Sequence, residues 1–112
     1  HSEAEGATSM RLEVIPWSGK KPPNEREVRE RLEAEGYETF QWHDPPEVTY
    51  EPHAHDRDEV LWVVIGRITF GIGGEDWTLG PGDRLMLPKG TVHTARTGAE
   101  GAMYWIGERH DR

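Results

Sequence analysis

"HAHDRDEVLWVVIG", residues 53–66, joins two kinds of sequence that are usually found apart. Its first seven residues carry two histidines and a glutamate, and the next six are apolar. In an extended strand, residues i and i+2 point to the same side, so His53 and His55 can converge on one point. Glu59 follows the short interval Asp56-Arg57-Asp58 and opens the run Val60–Ile65. An unpaired carboxylate at the head of an apolar strand is costly to bury, so Glu59 needs a partner. The same parity sends Leu61, Val63 and Ile65 inward with Glu59 and turns Trp62 and Val64 outward. An outward apolar face needs cover, from the N-terminal segment or from a second copy of the chain. On this ground a homodimer is expected.

Downstream, "GDRLMLPKGTVH", residues 82–93, offers a further ligand in His93, behind a Pro-Lys-Gly turn. The chain has no cysteine, which removes disulfides, thiolate catalysis and Cys-based zinc sites together. Any transition metal must therefore be held by His and carboxylate. Three imidazoles and one carboxylate suit a divalent ion such as Mn, Fe, Ni, Cu, Co or Zn and leave coordination positions open. The bland alternative is an exposed polar edge, or a site that has lost its metal.

The other 112-residue limits are simple. That length suits one compact core. With 21 acidic and 13 basic residues the formal charge is −8, which opposes nucleic-acid backbones and anionic membranes. The opening "HSEAEGATS" has the character of an expression-tag remnant over residues 1–9, with residues 10–112 as the domain proper. Leaving it out removes Glu3 and Glu5, so −8 becomes −6, and it removes His1 from the ligand count. No apolar run reaches membrane-spanning length and no signal-peptide pattern is seen, so a soluble, cytoplasmic protein is expected. Amide side chains are confined to Asn24 and Gln41, while Arg and Glu abound. That bias resembles thermophile proteins, although high-GC codon usage produces the same one.

One segment reads as helix, "NEREVRERLEAEG", residues 24–36. Asn24 is the N-cap with Glu27 three residues on, and Gly36 is the stop. Glu25–Arg29 and Glu27–Arg31 are spaced as i,i+4 pairs, and Val28 and Leu32 form a thin apolar stripe. A surface helix is expected, with its Glu/Arg run solvated. Everything after Gly36 reads as short strands with Gly and Pro turns, the pattern of a sandwich or closed barrel. "EVLWVVIG" and "RITFGIGG" read as two strands meeting at Gly66–Arg67, with Ile68, Phe70 and Ile72 on one face. Gly73-Gly74 marks a hairpin, and "TVHTART" and "AMYWIGER" read as two more strands.

The two quoted stretches together resemble the cupin superfamily, in the form of a small single-domain microbial cupin. The first matches its first motif as His-x-His, three residues, Glu59, six residues and Gly66. The second matches as Gly82, five residues, Pro88, one residue, Gly90, two residues and His93, with 15 residues between the motifs. The resemblance implies an all-β fold, a double-stranded β-helix or jelly-roll barrel, with one short N-terminal surface helix. It also implies His53, His55, Glu59 and His93 as the four ligands of one divalent metal in the barrel mouth. Two positions depart from the family: Glu47 where the first motif usually has glycine, and Thr97 where the second often has asparagine. Neither is a ligand position, so the departures bear on turn geometry.

The implied function is metal-dependent, with oxygenase-like oxidative chemistry on a small organic substrate as the first reading. Glu59 would then serve as ligand and proton shuttle. The alternatives are a non-catalytic cupin that binds a small metabolite or sugar, and a metal-stabilised structural barrel. The period-two rule also puts Glu47 and Glu51 on the histidine side, where Glu51 is either a group supporting the metal or an exposed rim residue. Exposure is the preferred reading. His43 is read as a surface histidine and His110 is assigned no role. Of the aromatics Trp42, Tyr50, Trp62, Trp77, Tyr104 and Trp105, only some are expected to line a pocket.

Overall fold

The computed structural model describes residues 10–109. The tag-remnant reading of residues 1–9, together with His1 and His110, lies outside the described residues. The elements are β1 (Glu13–Ile15), α1 (Glu25–Ala34), β2 (Glu38–Asp44), β3 (Thr49–His53), β4 (Asp58–Ile72), β5 (Glu75–Leu79), β6 (Arg84–Leu87) and β7 (His93–Arg109). The fold is an all-β jelly roll with one short helix.

Two long strands organise it. The first half of β4 pairs with β6 and with the last third of β7, and its second half pairs with β5 and the start of β7. Sheet order β1-β6-β4-β7-β2 follows, with β3 on β7 and β5 on β4, all antiparallel. The separate strands expected on either side of Gly66 are thus one continuous strand, as are those expected in "TVHTART" and "AMYWIGER". Gly66 (φ 83°) and Gly101 (φ 70°) are not hairpin turns. They lie inside the β4–β7 pairing, beside its register shifts between Val63/Ile65 and Gly66/Ile68. A true two-residue hairpin does occur at Gly73-Gly74, where Ile72 faces Glu75 and both glycines have positive φ.

The inner core holds Leu61, Val63, Ile68, Phe70 and Ile72 of β4 with Leu79, Leu85 and Leu87. Parity is correct for these residues and fails for Ile65, which is 57% exposed. The extra residue at the β4 bulge turns Ile65 away from the interior, as bulges do.

Trp62 and Val64 do face outward, yet both are buried. Their cover comes from within the chain: Val28 and Leu32 of α1, Tyr37 and Met103, with Met10 and Trp17 packed alongside. This face therefore gives no call for a second copy, and the argument for a homodimer loses its premise. The α1 stripe is thin, but Val28 and Leu32 are fully buried, worth roughly 1.5–3 kcal/mol each. The helix lies on the surface as expected, and its apolar stripe closes a second core. Trp62 anchors it, donating from Nε1 to the Gly82 carbonyl at 2.8 Å, with the Arg84 guanidinium 4.5 Å above its ring.

Asn24 caps α1 by accepting from Glu27 N at 2.8 Å, and Gly36 (φ 97°) follows its end. The helix pairs are not the expected ones: Arg26–Glu30 at 3.0 Å and Arg29–Glu33 at 3.5 Å form instead. Glu25 instead accepts from Gln41 Nε2, and Arg31 lies over Trp62, so both are engaged across elements.

The two departures from the motif meet in space. Glu47 has φ 58°, the left-handed conformation that explains a preference for glycine there. Thr97, 6% exposed, fastens this same turn: its Oγ1 donates to the Pro45 carbonyl at 2.8 Å and accepts from Val48 N at 2.9 Å. Glu47 N donates to the Gly98 carbonyl at 3.1 Å. A strained residue in a turn persists when its surroundings over-determine it, and these bonds supply that restraint.

Candidate metal centre

β3 ends at His53 and β7 begins at His93, directly opposite it in the register. His55 lies past the strand end. It is held because its carbonyl accepts from Gly90 N at 2.8 Å, while Asp58 Oδ1 accepts from Lys89 N at 2.9 Å. The Pro88-Lys89-Gly90 turn is thereby docked on the segment between the ligands, and Gly90 (φ 81°) lets its N–H reach back. Ring centroids are 4.3 Å apart for His53 and His93, 5.0 Å for His53 and His55, and 5.2 Å for His55 and His93. One ligand atom from each of the three lies within 4.8 Å of the others.

Hydrogen bonding selects the coordinating nitrogen. His53 Nδ1 donates to the Glu51 carbonyl at 2.7 Å, and His93 Nδ1 to the Thr91 carbonyl at 2.9 Å. A carbonyl only accepts, so each Nδ1 carries the proton and each Nε2 is left as a lone-pair donor. Burial lowers the pKa of His93 and His55, and the neighbouring imidazoles lower both further, so these rings favour the neutral, metal-binding form. The donor set fits a divalent transition metal. Glu51 supports it through its backbone, while its side chain is exposed. The register shift between Tyr50 and His53 breaks the parity that would have turned the carboxylate inward.

Glu59 is brought to the site but is not one of the three converging groups. It is 5% exposed, its Oε2 lies 3.8 Å from His55 Nδ1, and it is hydrogen-bonded to Glu108, its cross-strand neighbour on β7. Glu108 in turn accepts from Arg57 Nη1 at 3.2 Å. Burial, then the hydrogen bond and charge of Glu108, push the Glu59 carboxyl up to about 7. A carboxyl in that range can hold or release a proton near neutrality.

This shift has a consequence for stability. A carboxyl whose folded value is raised contributes stability that is fully present below its ordinary value of 4.5 and lost as pH rises through about 7. The full loss is about 3 kcal/mol. His55 and His93 act in the opposite sense, their contribution being lost as pH falls below the ordinary histidine value of 6.5. With metal chelated away, Glu59→Gln is therefore expected to gain on the parent between pH 5 and 7.5 in urea denaturation. Parallel pH profiles for the two proteins would show that Glu59 does not hold this proton.

The site opens into a cavity of about 250 Å³. Leu61, Phe70, Ala95 and Ile106 form its apolar floor, and Trp42, Tyr50, Tyr104 and Glu108 line it as well. Glu108 and this aromatic wall were not singled out as site residues from the sequence. Their place depends on which residue of β7 lies opposite which of β2 and β4, and no local signal carries that.

The cupin domain model, Cupin_2, matches residues 40–107. The chain belongs to the cupin family. Among solved structures, this cupin is similar to a protein of unknown function from Rhizobium leguminosarum bv. viciae 3841. The two are 20% identical with a TM-score of 0.63, over 98% of this chain and 89% of that one. It is also similar to a cupin-2 domain protein from Shewanella frigidimarina, with 18% identity, TM-score 0.57, and 98% and 93% coverage. A third is the Cupin_2 domain of an XRE family transcriptional regulator from Enterobacter cloacae, with 18% identity, TM-score 0.60, and 94% and 100% coverage. At these identities the likeness is one of fold. No curated protein matches the chain. No helix among the described residues is long and apolar enough to cross a membrane.

Proposed function

We propose that this cupin is a metal-dependent enzyme carrying out oxygenase-like oxidative chemistry on a small organic molecule. The observation that carries the reading is the convergence of His53, His55 and His93 on an open, largely apolar cavity, beside a carboxyl that titrates near neutrality. His53, His55 and His93 would hold the ion, with Glu59 as the fourth ligand once it leaves Glu108. A divalent Mn, Fe, Ni, Cu, Co or Zn ion would supply Lewis acidity there and, where redox-active, electron transfer between substrate and dioxygen. The two backbone-bonded imidazoles, His53 and His93, keep their orientation through turnover. Leu61, Phe70 and Ile106 exclude bulk water from the reacting end, and the Glu59–Glu108 pair takes up or returns a proton.

A second reading, capture of a small metabolite without turnover, is favoured by the fold shared with the regulator's cupin domain. Metal analysis of protein purified without a chelating column, then oxygen uptake against small phenols, diketones and organic acids, separates the two. Stoichiometric metal with substrate-dependent oxygen uptake is expected. Tightly held metal with no uptake on any of the panel would favour the binding reading.

A further inference from the structure

The aromatic wall of the cavity has its hydrogens committed. Asp44, 6% exposed at the end of β2, accepts from Tyr104 Oη at 2.7 Å, from Tyr50 Oη, and from Trp42 Nε1 at 3.0 Å. Trp42 Nε1 is also 3.4 Å from Tyr50 Oη. Two phenols and an indole that line the cavity thus spend their N–H and O–H groups on one buried carboxylate. What the phenols have left is oxygen lone pairs. Beside them stand Glu59 and Glu108, which bring acceptor oxygens too. Among the described residues no lysine or arginine lines the cavity, and the nearby Arg57 is bonded to Glu108 and Asp56.

We infer that this cavity takes an uncharged or cationic ligand bearing hydrogen-bond donors, hydroxyl or amine, and rejects carboxylates. A donor group meets the waiting oxygens. A carboxylate finds no donor on this wall, and desolvating it against acceptors is costly. Asp44 is the positioning residue: by holding both phenols as donors it makes the wall an acceptor surface. The inference deepens the proposed function and depends on it only for the end of the cavity at which the ligand's metal-binding atoms lie.

The test compares catechol and benzoate, one aromatic ring bearing either two hydroxyls or a carboxylate, by calorimetry and tryptophan fluorescence. The full chain is used both loaded with redox-inert Zn²⁺ and metal-free in chelator, with metal content measured on each sample. Catechol is expected to bind about tenfold or more tightly than benzoate in both forms, the worth of one good hydrogen bond. Asp44→Asn provides one acceptor oxygen and an N–H₂ donor, so a phenol hydrogen is freed toward the cavity. Catechol should weaken and benzoate strengthen, an opposed change that simple loosening of the wall does not produce. Tyr50→Phe removes an acceptor without creating a donor, so catechol alone should weaken. That variant carries the test if Asp44→Asn fails to fold. Benzoate binding as tightly as catechol, absence of catechol binding, or an unchanged ratio in the folded variants would each overturn the inference. If the samples hold no metal while catechol preference persists, the ligand class stands and the metal-site reading falls.

Discussion

Replacing His53 and His55 together by alanine is expected to abolish stoichiometric metal binding. Two of the three converging imidazoles go, leaving His93 with a carboxyl that is hydrogen-bonded elsewhere. Disturbing only the outer partners of metal ligands costs 10–100-fold in affinity, so deleting two ligands should cost well over about 100-fold. The fold should survive, because the hydrogen bonds that place His55 and the Pro88-Lys89-Gly90 turn run through backbone atoms and Asp58. Metal analysis after purification without a chelating column reads the first outcome, and metal-free thermal unfolding reads the second. Stoichiometric metal persisting in the double variant would mean that the ion sits elsewhere.

The largest stability effect is expected at Gly66. Its φ of 83° disfavours any side chain, and a Cβ placed there would lie 2.0 Å from the Gly101 carbonyl oxygen, a backbone atom that cannot rotate aside. Gly66→Ala therefore combines the left-handed penalty of about 1–2 kcal/mol with a forced separation of β4 from β7. A total above about 3 kcal/mol is expected, a large part of an ordinary domain's stability. Gly74→Ala is the control: its φ is 85°, but a Cβ there meets nothing within 4 Å. It should cost only the conformational penalty. Equal losses for the two variants in chemical denaturation would show that the close approach at Gly66 does not matter.

Gly66 also shows where sequence reading ends. Its place in the motif was legible, and so was its need for special backbone freedom. Its role was not, because a bend inside a strand and a turn between strands leave the same local mark. Ile65 was misplaced, and Glu51 is exposed as preferred rather than turned inward by parity, for one reason: period two holds only while the register is unbroken, and each lies by a bulge. The N-cap at Asn24, the Gly73-Gly74 hairpin and the inward set of β4 were readable because each is settled by a few neighbouring residues.

The sequence by itself determined the all-β class, the helix and the ligand set's candidates His53, His55, Glu59 and His93, since ligand chemistry and short spacings are local properties. Tertiary structure alone decided that Glu59 faces Glu108, that Asp44 gathers Tyr50, Tyr104 and Trp42, and that α1 covers Trp62. Those relations join residues from 6 to 60 positions apart for the Asp44 phenols, and 49 for the two glutamates. They arise from pairing register between distant strands, which is settled by packing the whole core and leaves no periodic trace along the chain.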